Sequence, residues 1–262
     1  MATYNGEKYI YAQLESILKQ LSESDEVVIS DDSSTDKTVD IIKSFADNRI
    51  RLLEHNQFYS PIYNIENALK HASSDVIVLS DQDDIWIENR INIIRKHFSR
   101  KNSKIYILIL DGLVIDENNN LLENSIMQKI RYRNGIIRNV IRNTYMGCTM
   151  AFSRNLLEVA LPFPKRLPMH DMWLGILGEI YGQVDSVKEQ TFKYRIHPSN
   201  ASLKDLANIT YLQRVRWRLA LVFNLLYRCL AYRSVWYKRV GKDNSDSKKY
   251  ENFINGNEGP LN

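Results

Sequence analysis

A short apolar run, residues 76–79, leads directly into Asp81, Asp83 and Asp84, three acids within four positions. A continuous run of β-branched and aliphatic residues predicts a strand that is buried on both faces of a sheet. Carboxylates this close repel one another, and beside an apolar strand they shift one another's pKa. A cation is therefore expected among them, and a divalent metal that holds a phosphorylated ligand meets this need.

The same pattern occurs upstream, where residues 26–30 form a second short apolar run that ends in Asp31 and Asp32. A helical spacing follows, and Asp36 or Thr35 is expected to cap that helix by accepting its first free N–H groups. Strands that alternate with helices predict an α/β fold with a mostly parallel, Rossmann-like sheet flanked by helices. Ligands of such sheets bind beyond the carboxyl ends of the strands, so both acidic groups are expected to share one rim.

The spacing of apolar residues predicts the other elements of this α/β domain. Helices are predicted over residues 7–21, 38–45, 61–72, 88–98, 154–160 and 173–181. Strands are predicted over residues 50–54, 104–113, 145–152, 183–187 and 191–195. The basic and polar stretch 131–143 is expected to be mobile.

The composition changes after residue 205, which divides the chain into three predicted parts. Residues 1–205 form the α/β domain, and residues 206–240, where arginines alternate with aromatics, form a basic amphipathic helical appendage. Such a segment can lie in a membrane interface, or its apolar face can pack on the α/β domain and leave the cations solvated. Residues 241–262 are rich in Asn, Ser, Asp and Gly and are predicted to be disordered.

Composition and charge narrow the class of protein. The chain has 262 residues, of which 44% are hydrophobic and 25% charged, as in an ordinary globular protein. A net charge of +4 is too small to argue for a nucleic-acid partner. Cys148 and Cys229 lack motif spacing, which argues against a disulfide scaffold or a zinc site and fits a reducing cytoplasm. We see no signal-peptide pattern and no apolar run near the ~20 residues that span a bilayer.

Four motifs resemble, in order and separation, those of family 2 glycosyltransferases with the GT-A fold. They are Thr3-Tyr4-Asn5-Gly6-Glu7-Lys8-Tyr9-Ile10, Asp31-Asp32-Ser33-Ser34-Thr35-Asp36, Ser80-Asp81-Gln82-Asp83-Asp84-Ile85-Trp86 and Met169-His170-Asp171-Met172-Trp173. The third motif is similar to that of rhamnosyltransferase-type members, which build bacterial surface polysaccharides. The resemblance covers roughly residues 1–200 and implies sugar transfer, with rhamnose as one candidate sugar.

The resemblance implies a nucleotide-sugar donor and a divalent metal, Mg²⁺ or Mn²⁺. Asp83 matches the metal ligand, and Asp81 matches the acid that meets the ribose or a metal-bound water. Asp32 matches the acid that binds the base, and a carboxylate can accept the N3–H of uracil or thymine, which favours a UDP- or dTDP-sugar. Thr3 and Tyr4 match the wall of the base pocket, with a simple strand-to-helix turn as the alternative.

The resemblance also assigns roles on the acceptor side and in a late loop. Asp171 matches the general base of the inverting transfer that the resemblance implies, with an N-cap of the next helix as the alternative. In Tyr194-Arg195-Ile196-His197-Pro198-Ser199-Asn200, which resembles the family's late loop over the diphosphate, Arg195 is expected to pair with phosphate oxygens and His197 to bind metal or phosphate. Asp84 remains either a ligand or a helix cap, and His170 either structural or functional.

The amino terminus departs from the family pattern, in which an apolar strand precedes the motif that begins at Thr3. Only Met1 and Ala2 precede Thr3 here, so the first strand is expected to be shortened. Either the true start lies upstream, which we favour, or the chain is a shortened copy.

The sequence therefore predicts a cytoplasmic glycosyltransferase in peripheral contact with the inner face of an anionic plasma membrane. Its expected acceptor is a glycan or a lipid-linked oligosaccharide, near which the basic stretch 131–143 would lie. Two rival interpretations remain at this point. One is an inactive, membrane-associated binding protein that keeps the fold, and the other is a receiver-type signalling domain, which also places acids and Mg²⁺ at strand ends.

Overall fold

The structure is a computed structural model, and it describes residues 1–198, 200, 210 and 212–232. The strands are β1 (Ala2–Thr3), β2 (Val27–Asp31), β3 (Ile50–Leu53), β4 (Val76–Val78), β5 (Ile85–Trp86), β6 (Tyr106–Ile115), β7 (Leu121–Glu123), β8 (Met150–Ser153) and β9 (Gln183–Arg195). The helices are α1 (Ile10–Leu18), α2 (Thr38–Ser44), α3 (Pro61–His71), α4 (Arg90–Phe98), α5 (Ile126–Ile130), α6 (Ile136–Ile141), α7 (Asn155–Ala160), α8 (His170–Tyr181) and α9 (residues 212–232). Each helix predicted over 7–181 is found, with ends that differ by three residues or fewer.

The strands form two sheets rather than one. The smaller sheet is parallel and has the order β1-β2-β3, and the larger has the order β4-β8-β6-β9-β5, with β7 paired to β6. In the larger sheet only β6 and β9 run parallel, while every other pair is antiparallel. The prediction of a mostly parallel sheet therefore holds for the smaller sheet and is wrong for the larger. The chain reverses direction in the acidic turn between β4 and β5. The residues of this turn do not indicate a reversal, so the sequence could not predict it.

The core lies on the long central strand of the larger sheet. All of β6 is buried except Leu113, and α8 packs its apolar residues against β6 and β9. The sequence predicts two strands where β9 is one continuous strand. The register of β9 against β6 shifts between Leu110 and Asp111. The polar residues 188–190 therefore form a bulge within β9 and do not end the strand.

The structure adds a helix to the segment before α8 and moves the start of one strand. Residues 131–143 contain α6 and are held in place by Asn139, which is fully buried and whose Nδ2 donates to the carbonyl oxygen of Arg133 (2.9 Å). β8 begins at Met150 rather than at residue 145, because residues 147–149 form a 3₁₀ turn. A single polar anchor such as Asn139 carries no periodic signal, so the pattern alone indicated a mobile stretch.

β1 is only two residues long, and β2 and β4 are not hydrogen-bonded to each other. Beside Met1 lies a cavity of about 450 Å³, with Val28 on one side and Ile77 and Leu79 on the other. The α-amino group of Met1 donates to the Val28 carbonyl oxygen (2.8 Å), and burial lowers its pKa to about 6. The cavity therefore has the apolar lining and the flanking strands that a longer β1 would need.

An extension of four apolar, strand-forming residues ahead of Met1 is expected to raise the melting temperature by at least about 5 °C. The added residues would fill the cavity, and the buried α-amino group would become a peptide N–H that pairs in the sheet. Differential scanning calorimetry measures the change, with a Gly-Ser extension of equal length as the control. Equal melting temperatures for the two extensions would show that the cavity does not accept a strand.

Candidate active site

The loop after β1 connects the two acidic turns. The Tyr4 N–H donates to Gln82 Oε1 and Gln82 Nε2 donates to the Tyr4 carbonyl oxygen, each at 3.0 Å. On the other side, Asn5 Oδ1 accepts the N–H of Thr35 (2.8 Å). Gly6 permits this close approach, since a Cβ there would lie 2.4 Å from Gln82 Oε1. The two turns therefore share one rim, as the sequence predicts.

The predicted base-binding residues lie on this rim around the second motif. Asp31 Oδ2 accepts hydrogen bonds from the Thr3 hydroxyl (2.7 Å) and from Ser34 Oγ (2.6 Å), so Asp31 ties the turn to β1. Asp32 is buried, and its Oδ1 accepts the N–H of Phe58 (2.6 Å). A carboxylate has about four lone-pair sites, so Asp32 keeps the capacity to accept a further N–H. The side chain of Tyr4 stays exposed beside them.

The two predicted metal ligands are in direct contact. Asp83 Oδ2 lies 2.8 Å from His197 Nε2. Asn200 supports both, since its Nδ2 donates to the same Asp83 oxygen (3.2 Å) and its Oδ1 accepts the His197 N–H (2.6 Å). The His197 ring also packs on Tyr9, with 4.7 Å between ring centroids. The loop that follows β9 thus brings an imidazole nitrogen to a carboxylate, a donor pair that fits a divalent cation.

Arg195, the last residue of β9, is buried against the acidic turn. Its Nε donates to the carbonyl oxygen of Asp83 (2.9 Å), and its Nη1 donates to Asn119 Oδ1 (2.8 Å). Its guanidinium lies 4.8 Å from the centroid of the Tyr9 ring. In this arrangement Arg195 orients the Asp83 backbone, and its pairing with phosphate remains a prediction.

Beneath Asp83 lies a second group of acidic atoms, formed by the carboxylates of Asp81 and Asp84 with the thiol of Cys148, all within 4.8 Å of one another. Burial, followed by the charges of Asp83 and Asp171, raises the pKa of Asp81 to about 7. Burial also raises the pKa of Asp84 and that of the Cys148 thiol well above their ordinary values. Burial and mutual repulsion therefore both oppose the simultaneous ionisation of these groups, which is the electrostatic situation that the sequence pattern predicts for them.

Asp84 does not cap α4, so that alternative is wrong. Asn89 occupies the N-cap position of α4, and its side chain makes no capping hydrogen bond. Asp84 Oδ1 instead accepts the N–H of Arg195 (3.1 Å). Among the described residues, Asp84 Oδ2 is buried without a hydrogen-bond partner. The buried Arg90 lies close enough to lower the pKa of Asp84 partially, and its Nη2 donates to the Cys148 carbonyl oxygen (2.7 Å).

Two residues of this site, Gln13 and Cys148, escaped the sequence reasoning. Gln13 is fully buried, and its Nε2 donates to Ser80 Oγ and to the Asp81 carbonyl oxygen, each at 2.8 Å. The usable signal for Gln13 is a polar residue on the apolar face of α1. Cys148 carried no usable signal, because Asp81 and Asp84 are distant from it in sequence. Asn200 closes the late-loop motif, which assigned it no role.

Asp171 lies in the first turn of α8, and Met169 rather than Asp171 occupies the N-cap position. Its Oδ1 accepts hydrogen bonds from Asn143 Nδ2 (3.1 Å) and from the Met172 N–H (2.5 Å). Burial raises its pKa to about 7, and its charge in turn raises the pKa of Asp81. Asp171 therefore shares one electrostatic environment with the acidic turn, and a base with a pKa near neutrality suits proton abstraction.

His170 precedes Asp171 and packs closely on the 3₁₀ turn. A Cβ at Gly147 would lie 2.9 Å from His170 Nε2. Its Nδ1 is buried, with no hydrogen-bond partner among the described residues, and burial lowers the pKa of the imidazole to about 4. His170 is therefore neutral at physiological pH, and its contacts are those of a packing residue.

Comparison with known proteins identifies the class. The profile of Glycosyl transferase family 2 matches residues 1–160. The chain belongs to this family and is a glycosyltransferase of the GT-A fold. The receiver-type alternative is wrong for that reason.

Two curated relatives illustrate the family. The chain is 30% identical over 205 residues to WfgD of Escherichia coli, a UDP-Glc:alpha-D-GlcNAc-diphosphoundecaprenol beta-1,3-glucosyltransferase, covering 77% of this chain and 78% of that protein. It is 40% identical over 98 residues to the dTDP-rhamnosyl transferase RfbG of Shigella flexneri, covering 35% of this chain and 34% of that protein.

Solved structures show the same fold. TarS 1-349 of S. aureus in complex with UDP-GlcNAc aligns with a TM-score of 0.64 at 18% identity, covering 85% of this chain and 65% of that chain. The mannosyltransferase PcManGT of Pyrobaculum calidifontis, in complex with GDP-Man and Mn²⁺, aligns with a TM-score of 0.58 at 18% identity, covering 85% and 62%. The chain thus spans less than two thirds of these structures.

The structure describes only part of the carboxy-terminal region for which predictions were made. Residues 212–232 form α9, whereas residues 233–262, including the predicted tail 241–262, lie outside the described residues. The predicted boundaries at 205 and 240 stay predictions. Within the described part of the chain, no helix is both long and apolar enough to span a bilayer.

Proposed function

We propose that this protein transfers a sugar from a UDP- or dTDP-sugar to a glycan or lipid-linked acceptor during synthesis of a bacterial surface polysaccharide. The observation that carries the proposal is the contact of Asp83 Oδ2 with His197 Nε2 at 2.8 Å. Asp171 is close enough to this acidic turn for its charge to raise the pKa of Asp81. The names of WfgD and RfbG, with a UDP-sugar and a dTDP-sugar, support these donor classes.

On the donor side, Asp83 and His197 would hold Mg²⁺ or Mn²⁺. The donor set fits, since an oxygen and a nitrogen ligand face each other in the same turn as the half-buried Asp81 and the unpartnered Oδ2 of Asp84. When bound, the metal neutralises charge that develops on the departing diphosphate. Asp32 accepts the N3–H of the base, Asp81 binds the ribose, and the exposed Tyr4 covers the base beside Thr3.

On the acceptor side, Asp171 accepts the proton of the attacking hydroxyl group. Asn143 holds its carboxylate in place through the 3.1 Å hydrogen bond. A base that faces the donor carbon opposite the leaving diphosphate gives inversion at that carbon, which is the stereochemistry we propose. We also propose that the enzyme works in the cytoplasm. The cytoplasm keeps thiols reduced, which agrees with the free thiols of Cys148 and Cys229.

Calorimetric titration with a panel of nucleotides tests the donor class. UDP or dTDP is expected to bind in the presence of Mn²⁺ or Mg²⁺ and to bind at least tenfold more weakly with EDTA. GDP and ADP serve as controls, since neither presents the pyrimidine N3–H to Asp32. Equal affinity for all four nucleotides would remove the assignment of Asp32.

The rate of transfer is expected to rise with pH and level off above about pH 7, the value to which burial raises the pKa of Asp171. Only the ionised carboxylate accepts a proton, so below that pKa the rate falls about tenfold per pH unit. The measurement is kcat at saturating donor and acceptor. A kcat that does not change between about pH 5.5 and about pH 7 would contradict the assignment.

Membrane contact by α9 is a separate part of the proposal. Phe223, Leu226 and Leu230 are exposed and recur at intervals of three and four residues, so they share one helix face. The same helix carries four arginines, each of which contributes about 1 kcal/mol near an anionic surface.

Replacing Phe223, Leu226 and Leu230 together by serine is expected to abolish salt-sensitive co-sedimentation with anionic vesicles. The substitution removes the apolar surface that would insert between the headgroups. The equally exposed Tyr59→Ser is the control. Unchanged sedimentation of the folded triple variant would rule out α9 as the membrane contact.

A further inference from the structure

α6 presents an apolar surface to solvent in a fixed orientation. The inward side of the helix is anchored by Asn139, whose Oδ1 accepts the Thr144 N–H (2.9 Å). The preceding Gly135 N–H donates to both carboxylate oxygens of Glu179 on α8 (2.8 and 3.0 Å). These contacts leave Ile137 and Ile141, one helical turn apart, 76% and 72% exposed. Large aliphatic residues this exposed on an anchored helix indicate a binding surface.

Positive charge surrounds these isoleucines. Arg138 and Arg142, also one turn apart, are exposed beside them, and Arg131 and Arg133 are exposed in the loop before the helix. Residues 124–157 contain no acidic residue. None of the salt bridges found among the described residues involves these four arginines. An arginine fork binds phosphate oxygens in two parallel hydrogen bonds, so the charge is complementary to a phosphorylated ligand.

This surface is continuous with the candidate base. Asn143, the residue after Arg142, donates its Nδ2 hydrogen bond to Asp171 (3.1 Å). Glu179, which anchors Gly135, lies two turns along the helix that carries Asp171. The segment that follows α6 therefore contacts the carboxylate that receives the acceptor proton.

We propose that Ile137, Arg138, Ile141 and Arg142, the α6 face, bind the lipid-diphosphate end of the acceptor. The arginines pair with the diphosphate and the isoleucines contact the first part of the lipid chain, so that the sugar attached to the diphosphate reaches Asp171. The inference rests on the proposed function, because it assigns a site to a lipid-linked acceptor. It differs from the α9 proposal in its ligand, which is one phosphorylated lipid rather than a membrane surface.

Farnesyl diphosphate and inorganic diphosphate are the probes, titrated without divalent metal so that neither is held at Asp83 and His197. Arg138→Gln with Arg142→Gln is expected to weaken binding of both probes at least tenfold. Ile137→Ser with Ile141→Ser is expected to weaken binding of farnesyl diphosphate at least tenfold and binding of inorganic diphosphate less than twofold. The matched control is Leu121→Ser with Leu122→Ser, two leucines that are 55% and 50% exposed on β7 and are expected to change neither affinity.

Farnesyl diphosphate affinity that is the same in wild type, both variants and the control would overturn the assignment. So would an isoleucine variant that changes a dimer into a monomer and leaves farnesyl diphosphate binding unchanged, since the α6 face would then contact a second copy. No donor or metal enters these titrations. Their failure beside metal-dependent binding of UDP or dTDP would therefore refute the α6 face and leave the proposed function standing.

Discussion

Replacing Asp83 by alanine is expected to abolish the metal-dependent part of UDP or dTDP binding, a loss of at least roughly 100-fold in affinity. Asp83 supplies the carboxylate that lies 2.8 Å from His197 Nε2, so its removal takes away the oxygen ligand of the proposed metal-binding pair. The fold is expected to persist, because the substitution removes one of several like charges around Asp81 and Asp84.

Calorimetry with and without Mn²⁺ measures the loss, and a thermal melt verifies the fold. The exposed carboxylate of Asp40 provides the control, since Asp40→Ala removes a surface charge that takes no part in the contact between Asp83 and His197. Metal-dependent binding that survives in a folded Asp83→Ala protein would assign the metal to other residues. The group formed by Asp81, Asp84 and Cys148 would then be the first alternative.

Asp171→Asn is expected to bind the donor with unchanged affinity and to lose transfer activity by at least roughly 10²-fold. The amide has the shape of the carboxylate, and its oxygen can still accept from Asn143 and from the Met172 N–H. It cannot accept the hydroxyl proton of the acceptor, so only the chemical step is affected. Transfer near the wild-type rate would show that Asp171 merely orders the start of α8.

The acidic turns could be predicted from sequence because strand ends and charge density are local signals. Asp31, Asp32, Asp81 and Asp83 follow short apolar runs, and the rule that ligands bind at the carboxyl ends of strands brings them to one rim. The contact of Asp83 with His197 joins residues 114 positions apart. Only the family resemblance, and no pattern in the residues themselves, could anticipate it.

The partners of these acids were not predictable, because each depends on tertiary packing. Cys148 has no motif spacing, and its proximity to Asp81 and Asp84 follows from the pairing of β8 with β4 and β6. Ser33 shows the limit of turn rules, since it adopts a φ of 60° where glycine is favoured. Its hydroxyl donates to the Asn56 carbonyl oxygen (2.6 Å), a contact that glycine could not make.

The strand directions of the larger sheet were missed for a related reason. Apolar runs identify strands but carry no information about their direction, and β5, with only two residues, is not among the predicted strands. The antiparallel pairing of β5 with β9 places the acidic turn beside Arg195 and His197. The pairing of β5 with β9, which the hydrophobic pattern could not predict, thus brings the residues of the proposed donor site together.

The most direct test of sugar transfer is mass spectrometry of the acceptor after incubation with donor and Mn²⁺. Lipid-diphosphate-linked N-acetylglucosamine is the acceptor, and UDP-glucose and dTDP-rhamnose are the donors. We expect a single added sugar from one of these donors, at a rate that EDTA and Asp171→Asn each reduce by at least roughly 10²-fold. Product that forms equally with EDTA and with Asp171→Asn would contradict the roles of the metal site and of the base.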